Sequence, residues 1–179
     1  MTAEKRIVLI LGGARSGKSS YAQQLAAERG GRALFCATAQ PLDDEMRERI
    51  QAHRQSRPPG WDTLETRDGL AAALEGVAGR YETVIIDCIT LLIANCMGAT
   101  DDPAAAEKTV DAEVDALIDL MRSSTCSFIL VSNEVGSGIV PDNRLARVYR
   151  DVLGKANQRL ARAADQVMLL TAGLPLKLK

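Results

Sequence analysis

The chain has 179 residues, 22 Lys+Arg against 23 Asp+Glu for a formal net charge of −1, 46% hydrophobic and 3% aromatic residues, four Cys and one His. At ~100–200 residues per domain this is a single domain, residues 1–179, large enough to bury a core without disulfides or a structural metal. The balanced charge and scarce aromatics speak against nucleic acid as the main partner, and one His with four Cys lacking any C-x-x-C pair speaks against a zinc site.

Arg6–Leu11 reads as a buried strand, and Lys18–Arg29 as a helix with Tyr21, Leu25 and Ala26 at helical spacing, ended by Gly30 and Gly31. Ala33–Ala37 is a second strand. Asp43–Arg57 reads as a helix capped by Asp43 or Asp44 and stopped by Pro58, Pro59 and Gly60. Trp61–Thr66 alternates weakly, as an edge strand would. Asp68–Ala78 predicts a helix with Leu70, Leu74 and Val77 on one face, and Thr83–Asp87 a fully buried strand. Ile89–Met97 reads as a helix start running into an apolar loop.

A long helix follows from Pro103 to Arg122, with Pro103 near its first position and Val110, Val114, Leu117 and Met121 in a stripe. Ser127–Ser132 is a strand, Asp142–Ala164 a second long helix, and Gln166–Thr171 a strand. Gly173 and Pro175 mark a turn into an antiparallel strand at Leu176–Lys179. Strands alternating with helices predict a mostly parallel, doubly wound α/β sheet. No stretch is long and apolar enough for a signal core or a membrane span, so a cytoplasmic protein with buried, reduced thiols at Cys36, Cys88, Cys96 and Cys126 is expected.

Gly12-Gly13-Ala14-Arg15-Ser16-Gly17-Lys18-Ser19 fits G-x-x-x-x-G-K-[ST] between a predicted strand and a predicted helix, the context of a phosphate-binding P-loop. Curled glycine backbone points N–H groups at a phosphate, and the helix N-terminus adds partial positive charge. Lys18 would reach the β and γ phosphates, and the Ser19 hydroxyl would ligate Mg²⁺.

Asp87, ending a buried strand, suits a water-mediated contact to the same Mg²⁺; a cap on the following helix is the other reading. Ser132-Asn133-Glu134 ends a strand on the same side of the sheet, either to bind ligand or to shape the loop Val135–Pro141. The lone His53 shares a helix face with Met46 and Ile50 and is flanked by Arg49, Arg54 and Arg57. Such a histidine is either a neutral nucleophile among triphosphate-holding arginines or a solvated or core-edge residue.

These residues resemble a known family. The loop GGARSGKS, the run Thr38 to Met46 leading to Arg49-Ile50, His53-Arg54, Arg57-Pro58 and Trp61, then Asn133 to Pro141, Asn143 to Arg147 and Asn157 to Ala161 are similar to the bifunctional adenosylcobinamide kinase/adenosylcobinamide-phosphate guanylyltransferase of cobalamin biosynthesis.

The resemblance implies a RecA-like P-loop fold, usually a homotrimer, and two reactions. A nucleoside triphosphate, ATP or GTP, phosphorylates the aminopropanol hydroxyl of adenosylcobinamide. GMP then passes from GTP to adenosylcobinamide phosphate through a histidine–GMP phosphoramidate, giving adenosylcobinamide-GDP and pyrophosphate. His53 falls at the nucleophile position. The implied nucleotide contacts are Gly12 to Ser19, Thr38, Ala39, Gln40, Arg54, Gln55, Ser56, Arg57, Glu65 and Asp87, with Lys18 acting on phosphate. The P-loop also fits two other readings: a monofunctional small-molecule kinase, and a RecA-like ATPase acting on a macromolecular partner, which the charge and aromatic content disfavour.

Overall fold

The short apolar runs pair into one seven-stranded sheet among the described residues of the computed structural model, which are 5–39, 44, 47–48, 51 and 57–179. In chain order the strands are β1 (Ile7–Gly12), β2 (Ala33–Ala37), β3 (Asp62–Glu65), β4 (Thr83–Asp87), β5 (Ser127–Val131), β6 (Gln166–Thr171) and β7 (Leu174–Lys177). The helices are α1 (Lys18–Arg29), α2 (Leu70–Leu74), α3 (Ile89–Met97), α4 (Pro103–Ser123) and α5 (Arg144–Ala163). The sheet order is β3-β2-β4-β5-β1-β6-β7, parallel throughout except for the β6–β7 pair.

The central strands are continuously apolar because both faces are covered. Ile7 and Leu9 of β1 pack with Leu34, Val84, Ile86 and Phe128 against α2 to α5. Val8 and Ile10 turn the other way and pack with Phe35, Ile85, Ile129 and Val131 against Ala22 and Ala26 of α1. The period of two thus sorts one strand between two core layers.

Three elements depart from the sequence reading. The helix expected over 68–78 is only Leu70–Leu74, because Gly69 (φ +61°) and Gly76 (φ +75°) flank it in left-handed conformations and Glu75 turns extended. Leu70 and Leu74 are nonetheless fully buried, and Val77 packs against them half-buried. The apolar loop expected within 89–97 is helix throughout, since Ile89, Leu92, Ile93 and Met97 fall on one buried face. The final strand starts at Leu174 rather than Leu176. Its turn is Ala172–Gly173, both at positive φ, and Pro175 is tolerated inside β7 because that strand lies at the sheet edge.

The long helices form where expected. Asp102 caps α4 through Ala104 N–H at 3.2 Å, and Pro103 opens the helix. Glu107, Asp111 and Asp115 of α4 meet Lys155 and Arg159 of α5 in an interhelical ion-pair ladder. The four thiols are free, but only Cys36 and Cys126 are buried; Cys88 and Cys96 are half-buried, Cys88 just before α3 and Cys96 in its last turn. The helix expected over Asp43–Arg57 lies mostly outside the described residues. Among the described residues no helix is long and apolar enough to cross a membrane.

The connection from β1 through α1 leads over β5 and β4 to β2, whereas the connection from β5 through α5 leads to β6 on the other side of β1. Strand order therefore reverses at the β1/β5 pair. In open α/β sheets the crevice beyond the carboxyl ends of the strands at such a reversal is where ligands sit. The segment 12–19 leaves β1 there, 132–134 leaves β5 there, and Asp87 ends the adjacent strand β4.

Candidate functional site

The loop from Gly12 to Ser19 is shaped by contacts that only its glycines allow. At Gly12, with φ +155°, a Cβ would lie 2.5 Å from the Leu170 carbonyl oxygen and 2.6 Å from Ser16 Oγ. Gly17 caps α1 in a left-handed conformation, φ +93°, where a Cβ would press on Gly173 at 3.2 Å. Arg15 also adopts positive φ, at +54°. The Gly173 N–H donates to the Ser16 carbonyl at 3.0 Å, so the β6–β7 turn braces the loop from outside.

Lys18 is buried at the first position of α1, and its Nζ donates to the Gly13 carbonyl at 2.5 Å and to Ser16 Oγ at 3.4 Å. The ammonium lies inside the curled loop, where a phosphate would replace carbonyl contacts by charge-assisted ones. Ser19 follows half-buried. No acidic residue occupies the first turn of α1, so the positive end of the helix dipole is not neutralised.

Asp87 lies in register with Ala37 of β2 and Val131 of β5. Its Oδ2 is buried with no hydrogen-bond partner among the described residues. A buried carboxylate oxygen left unmatched at this place fits a cation held through water, and its other sequence reading as a helix cap is not realised, since α3 has no side-chain cap. Beside it, burial first and then the Asp87 charge push the Cys88 thiol up to about 11, which keeps it protonated near neutrality.

Thr38 is completely buried. Its hydroxyl donates to the Cys88 carbonyl at 2.7 Å and accepts from the Cys88 N–H at 2.9 Å, tying the end of β2 to the end of β4. Asn95 Nδ2 donates to the Thr38 carbonyl at 3.1 Å and to the Arg67 carbonyl at 2.9 Å. The Thr38 side chain is therefore committed to the scaffold, and Ala39 follows it half-buried.

The cluster after β5 shapes the loop. Ser132 Oγ donates to Asn157 Oδ1 at 2.7 Å, Asn157 Nδ2 donates to the Asn133 carbonyl at 3.0 Å, and the Asn133 N–H donates to Thr90 Oγ1 at 2.7 Å. The Glu134 N–H then donates to the Gly12 carbonyl at 3.0 Å, joining this network to the root of the phosphate loop. Asn157, Thr90 and Tyr149, whose hydroxyl donates to the Thr90 carbonyl at 3.2 Å, were not read from residue pattern as site residues. A signal existed for Asn157: it is a polar residue on the α5 face formed by Val152, Leu153, Ala156 and Leu160.

At the opposite flank Arg57 stacks its guanidinium 3.9 Å from the Phe35 ring centroid and donates to Thr63 Oγ1 at 3.1 Å. It opens a cleft of about 390 Å³ whose wall runs through Pro58, Pro59, Gly60, Trp61 and Thr63 to the exposed Glu65. Arg57 and Glu65 are thus brought together at the β2–β3 edge, away from the P-loop end of the sheet order. Gln40, His53, Arg54, Gln55 and Ser56 lie outside the described residues.

Residues 8–178 match the family model described as cobinamide kinase / cobinamide phosphate guanyltransferase. The chain is 41% identical over 181 residues to the bifunctional adenosylcobalamin biosynthesis protein CobU of Salmonella typhimurium, covering 97% of this chain and 99% of that protein. It is 44% identical over 171 residues to the bifunctional adenosylcobalamin biosynthesis protein CobP of Pseudomonas aeruginosa, covering 96% of each. Among solved structures it is similar in fold to the flagellar accessory protein FlaH of Methanocaldococcus jannaschii, with a TM-score of 0.50, 17% identity, and 97% and 78% of the two chains covered.

Proposed function

The chain belongs to the cobinamide kinase / cobinamide phosphate guanyltransferase family, and from that premise we propose how its residues divide the two reactions. It is a transferase of cobalamin biosynthesis with kinase and guanylyltransferase activities. The observation that carries this is the match over residues 8–178 on a chain whose P-loop opens at the strand-order reversal.

In the kinase step the adenosylcobinamide hydroxyl attacks the γ-phosphorus of ATP or GTP, the bond to the β-phosphate oxygen breaks, and the hydroxyl proton leaves to solvent or a base. The amides of Gly12 to Ser19 and the Lys18 ammonium hold the phosphate oxygens as charge spreads over them. Ser19 Oγ and the unmatched Asp87 Oδ2 are the residues that would hold Mg²⁺, which when bound neutralises phosphate charge.

In the guanylyl step the neutral His53 imidazole attacks the α-phosphorus of GTP and pyrophosphate leaves. A phosphate oxygen of adenosylcobinamide phosphate then attacks the same phosphorus and releases His53. Arg54, Gln55, Ser56 and Arg57 follow His53 in the chain, and Arg57 anchors the end of that segment on Phe35. Glu65, across the cleft from Arg57, and the segment Ala39 to Gln40 complete the nucleotide contacts, while the buried Thr38 positions that segment by tying the end of β2 to Cys88 and Asn95.

The working form is a cytoplasmic homotrimer of this one domain, residues 1–179. Its support is a row of leucines, Leu174, Leu176 and Leu178, left exposed along the β7 edge.

The test is incubation with Mg²⁺ and GTP labelled at the α-phosphate. An acid-labile, base-stable protein label is expected, absent from His53→Ala, while that variant still phosphorylates adenosylcobinamide. A His53→Ala protein that labels normally removes His53 from the nucleophile role.

A further inference from the structure

We propose that Glu134, on the loop that leaves β5, is the general base of the kinase step and takes the proton of the attacking hydroxyl. The assignment rests on the kinase reading above and supplies the proton acceptor which that step needs.

The backbone of Glu134 is fastened to the phosphate loop. Its N–H donates to the Gly12 carbonyl at 3.0 Å, and the carbonyl of the next loop residue, Gly13, accepts from Lys18 Nζ at 2.5 Å. Two hydrogen bonds and the Gly12–Gly13 peptide thus separate the Glu134 amide from the ammonium that meets the transferred phosphate. The residue before it is fixed as well, by Asn157 Nδ2 on the Asn133 carbonyl and Thr90 Oγ1 on the Asn133 N–H. Glu134 itself is exposed, beyond the carboxyl end of a strand at the strand-order reversal, where a ligand enters.

The carboxylate is oriented within its own loop. Oε1 accepts the Gly136 N–H at 2.5 Å, and Oε2 is left to take a proton. Among the described residues no Lys or Arg forms an ion pair with it, so its charge is not committed elsewhere. The contact depends on glycine at 136, where a Cβ would lie 2.8 Å from Oε1.

The other acids at strand ends have other places. Asp87 ends β4 with the unmatched buried oxygen that fits a cation, and Glu65 ends β3 at the far edge of the sheet. The first turn of α1 carries no acid at all.

In the step, the hydroxyl oxygen of adenosylcobinamide bonds to the γ-phosphorus while the bond from that phosphorus to the β-phosphate oxygen breaks. The nucleoside diphosphate leaves with the electron pair, and the hydroxyl proton passes to Glu134 Oε2 and then to water. A carboxylate is too weak a base to ionise an alcohol beforehand, so it takes the proton as the new P–O bond forms. The guanylyl step makes no such demand. Its attacking atoms, an imidazole nitrogen and a phosphate oxygen, each offer a lone pair without a proton to lose.

The experiment follows both reactions in wild type, Glu134→Gln and Gly136→Ala. Glutamine keeps an oxygen for the Gly136 N–H and removes only the base. Glu134→Gln should lower the kinase kcat about a hundredfold, with KM for nucleotide and for adenosylcobinamide changed less than about twofold. The protein label from GTP labelled at the α-phosphate should form in it as in wild type. Gly136 is not at positive φ, so alanine is tolerated there, and Gly136→Ala should lower the kinase kcat about three- to tenfold by shifting a carboxylate that is still present. A fall of less than about tenfold in Glu134→Gln overturns the base. An equal fall in both reactions also overturns it, by making Glu134 a brace of the phosphate loop, and so does a kinase rate restored by raising Mg²⁺, which makes it a cation ligand. Wild-type protein that phosphorylates no adenosylcobinamide overturns the kinase reading, and the base with it, a result distinct from the others.

Discussion

Asn157 donates from Nδ2 to the Asn133 carbonyl at 3.0 Å and, through Oδ1, accepts the Ser132 hydroxyl at 2.7 Å, so one side chain of α5 closes the end of β5. Both contacts are internal, and the next residue, Glu134, holds the Gly12 carbonyl. Removing the amide leaves a buried hydroxyl and a carbonyl unmatched, each costing about 1–3 kcal/mol. Asn157→Leu is therefore expected to lose about 2–4 kcal/mol in urea unfolding and to raise the KM for GTP through the displaced P-loop root. A wild-type urea midpoint for that variant would show that the network is ornamental.

The phosphate loop gives a prediction of opposite kind, in which stability is kept and chemistry lost. Lys18 donates within the loop to the Gly13 carbonyl and to Ser16 Oγ. Lys18→Ala should fold, with a circular-dichroism melt close to wild type, while both the kinase and the guanylyl reactions fall by at least about a hundredfold if one nucleotide site serves both. A variant impaired in only one reaction indicates two separate nucleotide seats.

Much of this was legible in the residues. Strand bounds at Ala33–Ala37, Thr83–Asp87 and Gln166–Thr171 emerge as read, because buried parallel strands are unbroken apolar runs with sharp polar edges. The P-loop was legible because its chemistry is local: glycine positions and one lysine within eight residues. The 68–78 helix misled because its apolar spacing is genuine while Gly69 and Gly76, each at positive φ, cut it short. The Asn157 network was illegible for a different reason. Its partners lie 24 and 25 positions away, and nothing in a helix pattern states which strand end a polar side chain will face. The nucleophile role proposed for His53 rests on family resemblance, since a histidine among arginines is chemically ambiguous.

The loop root also sets a steric prediction. Any side chain at position 12 meets the Leu170 carbonyl and Ser16 Oγ well inside contact distance. Gly12→Ala must move either β6 or the loop, and because β6 is bound along β1 from Val8 to Gly12 the loop gives way. Weaker GTP binding by about tenfold or more, with a cost of about 1–3 kcal/mol in unfolding, is expected by isothermal titration and urea melts. Wild-type affinity in Gly12→Ala would mean that the loop tolerates a different curl.

The β7 edge makes the assembly testable. Leu174 and Leu176 of the edge strand β7, and Leu178 just past its end, are 72%, 59% and 56% exposed. A charge placed in their midst, Leu176→Glu, should reduce the sedimenting species from three chains to one chain of 19.2 kDa without unfolding it. A wild-type protein that sediments as a single chain removes the trimer altogether.

Alkaline stability should be dominated by buried thiols, Cys36 first. Cys36 of β2 is fully buried in the core, and burial, followed by the neighbouring Cys126, pushes its thiol from the ordinary 9.0 up to about 12. The folded value lies above the unfolded one, so the unfolded chain sheds this proton first as pH rises. The stabilising contribution is complete below pH about 9 and is lost progressively between about 9 and about 12, at up to about 1.4 kcal/mol per pH unit. Cys96, half-buried and raised to about 11 mainly by burial, adds in the same direction over the lower part of that window. Urea midpoints taken from pH 7 to 10.5 should be flat to about 9 and then fall. Cys36→Ala should start lower, because it leaves a small cavity, and fall less steeply above pH 9. Equal slopes for the two proteins would assign the alkaline loss to other groups.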